Sequence, residues 1–141
     1  MYKLMVFFRP YAKYLLAVWI IAIISVSSVP SIPVLKIHTN KADIRLDYLI
    51  HFLEYLSLAF LTYLAFAGSN FRITPVKYIT LTACLIVFAI ADESHQLFIP
   101  GRTFNPRDLL SNILGVTGGL ILCVFVFRRI AERSISNKVF M

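Results

Sequence analysis

Four apolar runs, each close to the length of a membrane-crossing helix, leave this chain little freedom of fold. They are Pro10 to Val29, Tyr48 to Ala67, Val76 to about Phe98 and Leu109 to Phe127. At the rise of an α-helix, about 20 apolar residues cross a hydrocarbon core of about 30 Å. A bilayer admits such a backbone only when its polar groups are paired internally, which in runs of this length means helices. With 59% hydrophobic residues, 15% charged residues and a mean hydropathy of +0.78, the 141-residue chain departs from a soluble domain in the same direction. The expected architecture is all-α: a single domain over residues 1–141, a four-helix transmembrane bundle with short loops and a basic tail at 128–141.

The net charge of +7 raises nucleic acid as a partner, but the cations lie in loops and tails beside the apolar runs, where lipid headgroups explain them better. Four spans place both termini on one side. Lys3, Arg9, Lys13, Arg72, Lys77, Arg128, Arg129, Arg133 and Lys138 then share that side, against Lys36, Lys41, Arg45, Arg102 and Arg107 on the other. Positive residues favour the cytoplasmic side, so both termini and the tail are expected there. A cleaved signal peptide is the competing reading of residues 1–28, although the apolar run is long for one. Cys84 and Cys123 lie inside apolar runs without ligand spacing and read as small hydrophobes.

Local signals mark the helix ends. Asn40 with Asp43 suggests that helix two starts ahead of the membrane, Thr74-Pro75 reads as cap and first residue of helix three, and Pro100-Gly101 stops it. Asn105-Pro106 with Asp108 reads as the start of helix four, with Asp108 as a helix cap. Ser111, Gly115 and Gly119 form a stripe of small residues suited to close helix packing.

Ionisable residues set against these runs are expensive in a bilayer and mark the place to look for function. Asp43, Asp47, His51 and Glu54 share one face of a continuous helix two, Asp92, Glu93, His95 and Gln96 lie at the end of helix three, and Asp108 and Asn112 open helix four. An up-and-down bundle brings all three groups to the same end, at similar depth. Arg102, Arg107, His51 and His95 are the available counter-charges. Plain structural readings stand beside this one: Asp108 as a cap, His51 and Asn112 as interhelical hydrogen-bonding residues.

Asp47-xxx-His51-Phe-xx-Tyr55 with Glu54, then Asp92-Glu93-xx-Gln96, Pro100-Gly101-Arg102 and Asp108-xxx-Asn112-xx-Gly115 resemble the VanZ-like family of small membrane proteins, over about residues 10–127. The family takes its name from a member linked to resistance to the glycopeptide teicoplanin. The resemblance implies a four-helix transmembrane bundle in the bacterial cytoplasmic membrane, with a role in the cell envelope or toward an envelope-active antibiotic. It maps the family motif onto His51, Glu54, Asp92, Glu93, Gln96, Arg102, Asp108 and Asn112.

Two kinds of function fit. In the first, Gln96, Arg102, Arg107, Asp108 and Asn112 bind an anionic lipid or lipid-linked cell-wall component, or a glycopeptide, while the carboxylates meet cationic or hydroxyl groups. In the second, an intramembrane hydrolase or transferase uses Glu93 or Asp92 as general base, with His51 as proton partner and Glu54 beside it. A metal site built on His51, Glu54, Glu93 and Asp108 lacks a recognised ligand spacing, so no metal or cofactor is expected. A proton or solute pathway fits poorly, because the acidic residues occupy one end only.

Overall fold

The first span begins before Pro10 rather than at it. In the computed structural model, which describes residues 2–30, 36–38, 43–68 and 71–139, helix α1 (Tyr2–Phe8) leads through a 3-10 turn at Arg9–Tyr11 into α2 (Ala12–Ser27). Proline lacks an N–H and fixes φ, so a tight turn accommodates it without ending the helical path. The stretch long and apolar enough to cross a membrane is therefore Met5–Ser27. It is followed by Asp47–Phe66, Pro75–Phe98 and Pro106–Phe127, the four spans expected.

The expected early start of helix two is overturned. Asn40 lies outside the described residues, and Asp43 belongs to a short antiparallel hairpin of β1 (Lys36–His38) and β2 (Asp43–Arg45). Ile37 stands opposite Ile44 in its register. Helix α3 (Asp47–Phe66) starts at Asp47, whose charge suits the N-terminal end of a helix. Asp43 is thus not on the helical face of Asp47, His51 and Glu54.

Helix α4 (Pro75–His95) opens as its sequence predicts, with the Thr74 side chain accepting a hydrogen bond from the Lys77 N–H at 3.3 Å. It ends in a 3-10 turn at Gln96–Phe98, and Gly101, at φ 76°, takes the left-handed conformation that turns the chain back. Helix α5 (Pro106–Val139) has Asn105 as its cap, with Asn105 Oδ1 accepting from the Arg107 N–H at 3.1 Å. It runs well past the fourth span, so the segment expected as a tail continues the helix to Val139.

Helix α3 packs most extensively against α5, not against its neighbours in sequence. The glycine stripe is the reason: a Cβ on Gly115 would overlap the Phe52 carbonyl oxygen, and one on Gly119 would lie 2.8 Å from Leu56 O. Without side chains at these two positions the backbones approach closely enough to gain dispersion contacts that lipid cannot supply. At the far end of this seam Tyr63 and Phe71 each stack on Phe127 with ring centroids 5.1 Å apart. The Arg9 guanidinium lies 5.5 Å from the centre of the Phe71 ring, and Arg9 Nη2 donates to Ala67 O at 3.1 Å. Phe71 holds φ at 57°, unusual for a bulky residue, and its ring is buried in this stack. Large apolar side chains such as Val18, Ile21, Val76, Val87, Leu110 and Leu114 face outward, as a lipid-exposed surface requires.

Candidate functional site

The chain direction brings the end of α2, the start of α3, the end of α4 and the start of α5 to one end of the bundle, where the ionisable residues collect. Consecutive helical residues project about 100° apart, so neighbours in sequence need not share surroundings. Asp92 and Glu93 show this. Both are buried, yet Asp92 lines a cavity of about 160 Å³ formed by α2, α3, the end of α4 and the turn after it, whereas Glu93 lies outside its lining.

The cavity wall is mixed. Ile23, Val26 and Ile50 supply its apolar part, and Ser27, Asp47, His51, Glu54, Asp92, Gln96 and Arg102 its polar part. Asp92 Oδ2 accepts a hydrogen bond from the Tyr55 hydroxyl at 2.9 Å. Trp19 Nε1 donates to Glu54 O at 3.1 Å, tying α2 to α3 one turn below the Asp47–His51 level. Among the described residues no group hydrogen-bonds the Glu54 carboxylate, and none hydrogen-bonds the buried atoms Ser27 Oγ and His51 Nδ1.

Arg102 reaches back from the loop after α4. Its Nε donates to Val29 O and its Nη2 to Val26 O, each at 3.1 Å. These are carbonyls of the last turn of α2 and just beyond; Val26 O also accepts from the Val29 N–H at 3.1 Å, and a cation there suits the helix dipole. The guanidinium therefore ties the end of α2 to the α4–α5 turn, and Arg102 also lines the cavity.

Glu93 fastens a different joint. Its Oε1 accepts from the Asn105 N–H at 2.8 Å and its Oε2 from Gln96 Nε2 at 3.2 Å. In a capping box, the N3 acid would bond that Asn105 N–H. Here Glu93 takes it from another helix, and Asp108 turns instead toward His51, with Oδ2 3.9 Å from Nε2. That separation is too long for a hydrogen bond and sits at the limit of an ion pair. Asn112, one turn further along α5, is fully buried, and neither amide atom has a hydrogen-bond partner among the described residues.

The residues expected in one site thus divide. His51, Glu54, Asp92, Gln96 and Arg102 meet at the cavity, while Glu93, Asp108 and Asn112 belong to the seams that α5 makes with α3 and α4. His51 and Gln96 touch both groups. Arg107 is exposed at the first turn of α5 and does not line the cavity, nor does His95. No cluster of three or more metal-binding side chains occurs among the described residues.

Sequence reasoning missed the contribution of α2. Its Ser27 is one more serine in a polar helix end, and the carbonyls of Val26 and Val29 carry no residue-specific signal at all. Tyr55 was visible only as part of a family pattern, since a tyrosine in an apolar run reads equally well as core.

Neither a curated protein nor a solved structure matches this chain. The family model described as VanZ/LLP1 matches it over residues 2–128, which takes in all four spans, the cavity and both seams. The chain therefore belongs to the VanZ/LLP1 family, as a membrane protein with four membrane-spanning helices.

Proposed function

We propose that this is a bacterial cell-envelope protein that recognises the polar head of an anionic lipid or lipid-linked cell-wall component, and that this recognition underlies a link to susceptibility toward glycopeptides of the teicoplanin type. What carries the reading is the cavity of about 160 Å³ near the ends of the helices, whose lining sets Arg102 among three carboxylates and a histidine. An anionic group meets the guanidinium through charge-assisted hydrogen bonds. Hydroxyl or amine groups on the same headgroup meet Asp47, Glu54 and Asp92, and the partnerless atoms of Ser27 and His51 offer further polar contacts. Arg107, exposed on the rim, adds a second positive charge outside the cavity. The distribution of Lys and Arg supports a location of this end on the outer face of the cytoplasmic membrane, with both termini inside, where envelope lipids are presented.

A second reading draws on the Glu54 carboxylate, which lines the cavity near His51 without a hydrogen bond from a described residue. In an acid/base enzyme acting on a lipid-linked substrate, Glu54 is the natural general base, since both Glu93 oxygens already accept hydrogen bonds. Binding and turnover of a short-chain anionic phospholipid and of a lipid-linked cell-wall precursor, by protein reconstituted in vesicles, separate the two. Charge-assisted hydrogen bonds contribute about 1.5–3 kcal/mol, so Arg102→Ala weakens headgroup binding roughly tenfold to a hundredfold. Cells producing Arg102→Ala should shift in teicoplanin sensitivity with the loss of binding. Unchanged binding by Arg102→Ala rejects the recognition reading. Product formation that disappears in Glu54→Gln while binding survives establishes the enzyme instead.

A further inference from the structure

We infer a second lipid site at the opposite end of the bundle: an anionic glycerophospholipid bound between α4 and α5, its acyl chain in an apolar groove and its phosphate between Arg72 and Arg129. The groove holds about 860 Å³ and is bordered by the 71–73 turn, the first turns of α4 and the 121–125 stretch of α5. Its α4 and α5 walls belong to the third and fourth spans, whose outer surface meets hydrocarbon, and the 71–73 turn borders it outside them. Ile73, Ile79, Ile121 and Val124 give it an apolar wall, and an unfilled wall of this kind forfeits its dispersion contacts. An acyl chain is the neighbour a bilayer provides.

Charge decides which lipid supplies that chain. Arg72 is part of the groove lining, and the exposed Arg129 holds its guanidinium 4.2 Å from the ring centre of Phe125, another lining residue. Lys77, one turn into α4, lies 5.9 Å from the centre of the Phe66 ring and is not part of the groove lining. No carboxylate lines the groove, because the acidic residues of the described spans sit at the other end. Cations at the mouth of an apolar groove fit a headgroup with net negative charge and give no advantage to a zwitterionic one. Tyr78, on the groove wall, is the amphipathic aromatic suited to the level where chain meets headgroup.

The test uses full-length protein in nanodiscs of phosphatidylglycerol and phosphatidylcholine in equal amounts. Every sample carries R102A and R107A, so that the cavity at the other end does not contribute. Lipid retained after transfer to detergent is counted by native mass spectrometry. One phosphatidylglycerol per chain is expected, with a roughly twenty-five-fold preference, the product of about fivefold for each arginine near an anionic headgroup. R72A/R129A brings the preference to near parity. R129A alone, at an exposed position, lowers it roughly fivefold and serves if the double variant does not fold. Ile121→Trp keeps both cations but fills the groove, and loses the retained lipid. Equal retention of the two lipids, a preference unchanged by R129A, or full retention in Ile121→Trp overturns the assignment. A stable dimer without retained lipid also overturns it and gives the groove to a second copy of the chain.

Discussion

Replacing Gly115 by alanine tests the claim that the α3–α5 seam holds the site together. The added Cβ meets backbone rather than a movable side chain: it overlaps Phe52 O and lies 3.0 Å from Leu56 N, with Tyr55 Cβ at 3.1 Å. Relief requires the helices to part. Gly118, on the same helix, provides the comparison, since a Cβ there lies 3.9 Å from the nearest Phe52 ring carbons, an ordinary contact. Both substitutions gain the same helix propensity, about 1 kcal/mol for Gly to Ala. The difference between the variants therefore isolates overpacking, about 1–3 kcal/mol. Unfolding in mixed micelles with increasing SDS, followed by circular dichroism, should show Gly118→Ala at least as stable as the parent and Gly115→Ala less stable than Gly118→Ala by that amount. The same displacement carries Asp108, two turns along α5, away from His51, so headgroup binding should fall in Gly115→Ala alone. Equal stability of the two variants would refute the close-approach argument.

Other substitutions probe single joints. Tyr55→Phe removes the hydroxyl that donates to Asp92 and leaves a buried carboxylate short of a donor, so it should cost about 1–3 kcal/mol in the same SDS titration. Glu93→Gln should be tolerated, because its side-chain carbonyl still accepts from the Asn105 N–H and the Gln96 amide can turn its oxygen to the new NH2, whereas Glu93→Leu should lose about 1–3 kcal/mol by stripping that N–H of its partner. Arg102→Lys keeps the charge but cannot span the two carbonyls of Val26 and Val29 with one planar fork. Hydrogen exchange in residues 24–29 should quicken, and unchanged protection there would show that Arg102 does not close α2. In detergent, a small maleimide should label exposed Cys84 while buried Cys123 stays unmodified until the bundle opens.

Much of this architecture was legible in the amino-acid order because each signal was local. Length and apolarity mark four spans whatever their neighbours, and the caps at Thr74 and Asn105 act within one turn of their own helix. Gly115 and Gly119 announced a close helix contact, and alternation of chain direction alone sends His51, Glu54, Asp92, Gln96 and Arg102 to one end. The hairpin was missed because Asn40 and Asp43 also spell a helix start, and the pairing of Ile37 with Ile44 is a nonlocal contact.

Tertiary structure decided what helical periodicity leaves open, namely which neighbour each face meets. A rotation of about 100° separates Asp92, in the cavity, from Glu93, which holds the first turn of α5. Arg102 found backbone carbonyls as partners, groups that every residue carries and no sequence can single out. The amino-acid order thus determined that carboxylates and an arginine would share one end of a membrane bundle. Packing of α2 and α5 against α3 and α4 determined which of them line a cavity and which secure the frame around it, because burial and hydrogen bonding depend on distances between helices that local sequence does not encode.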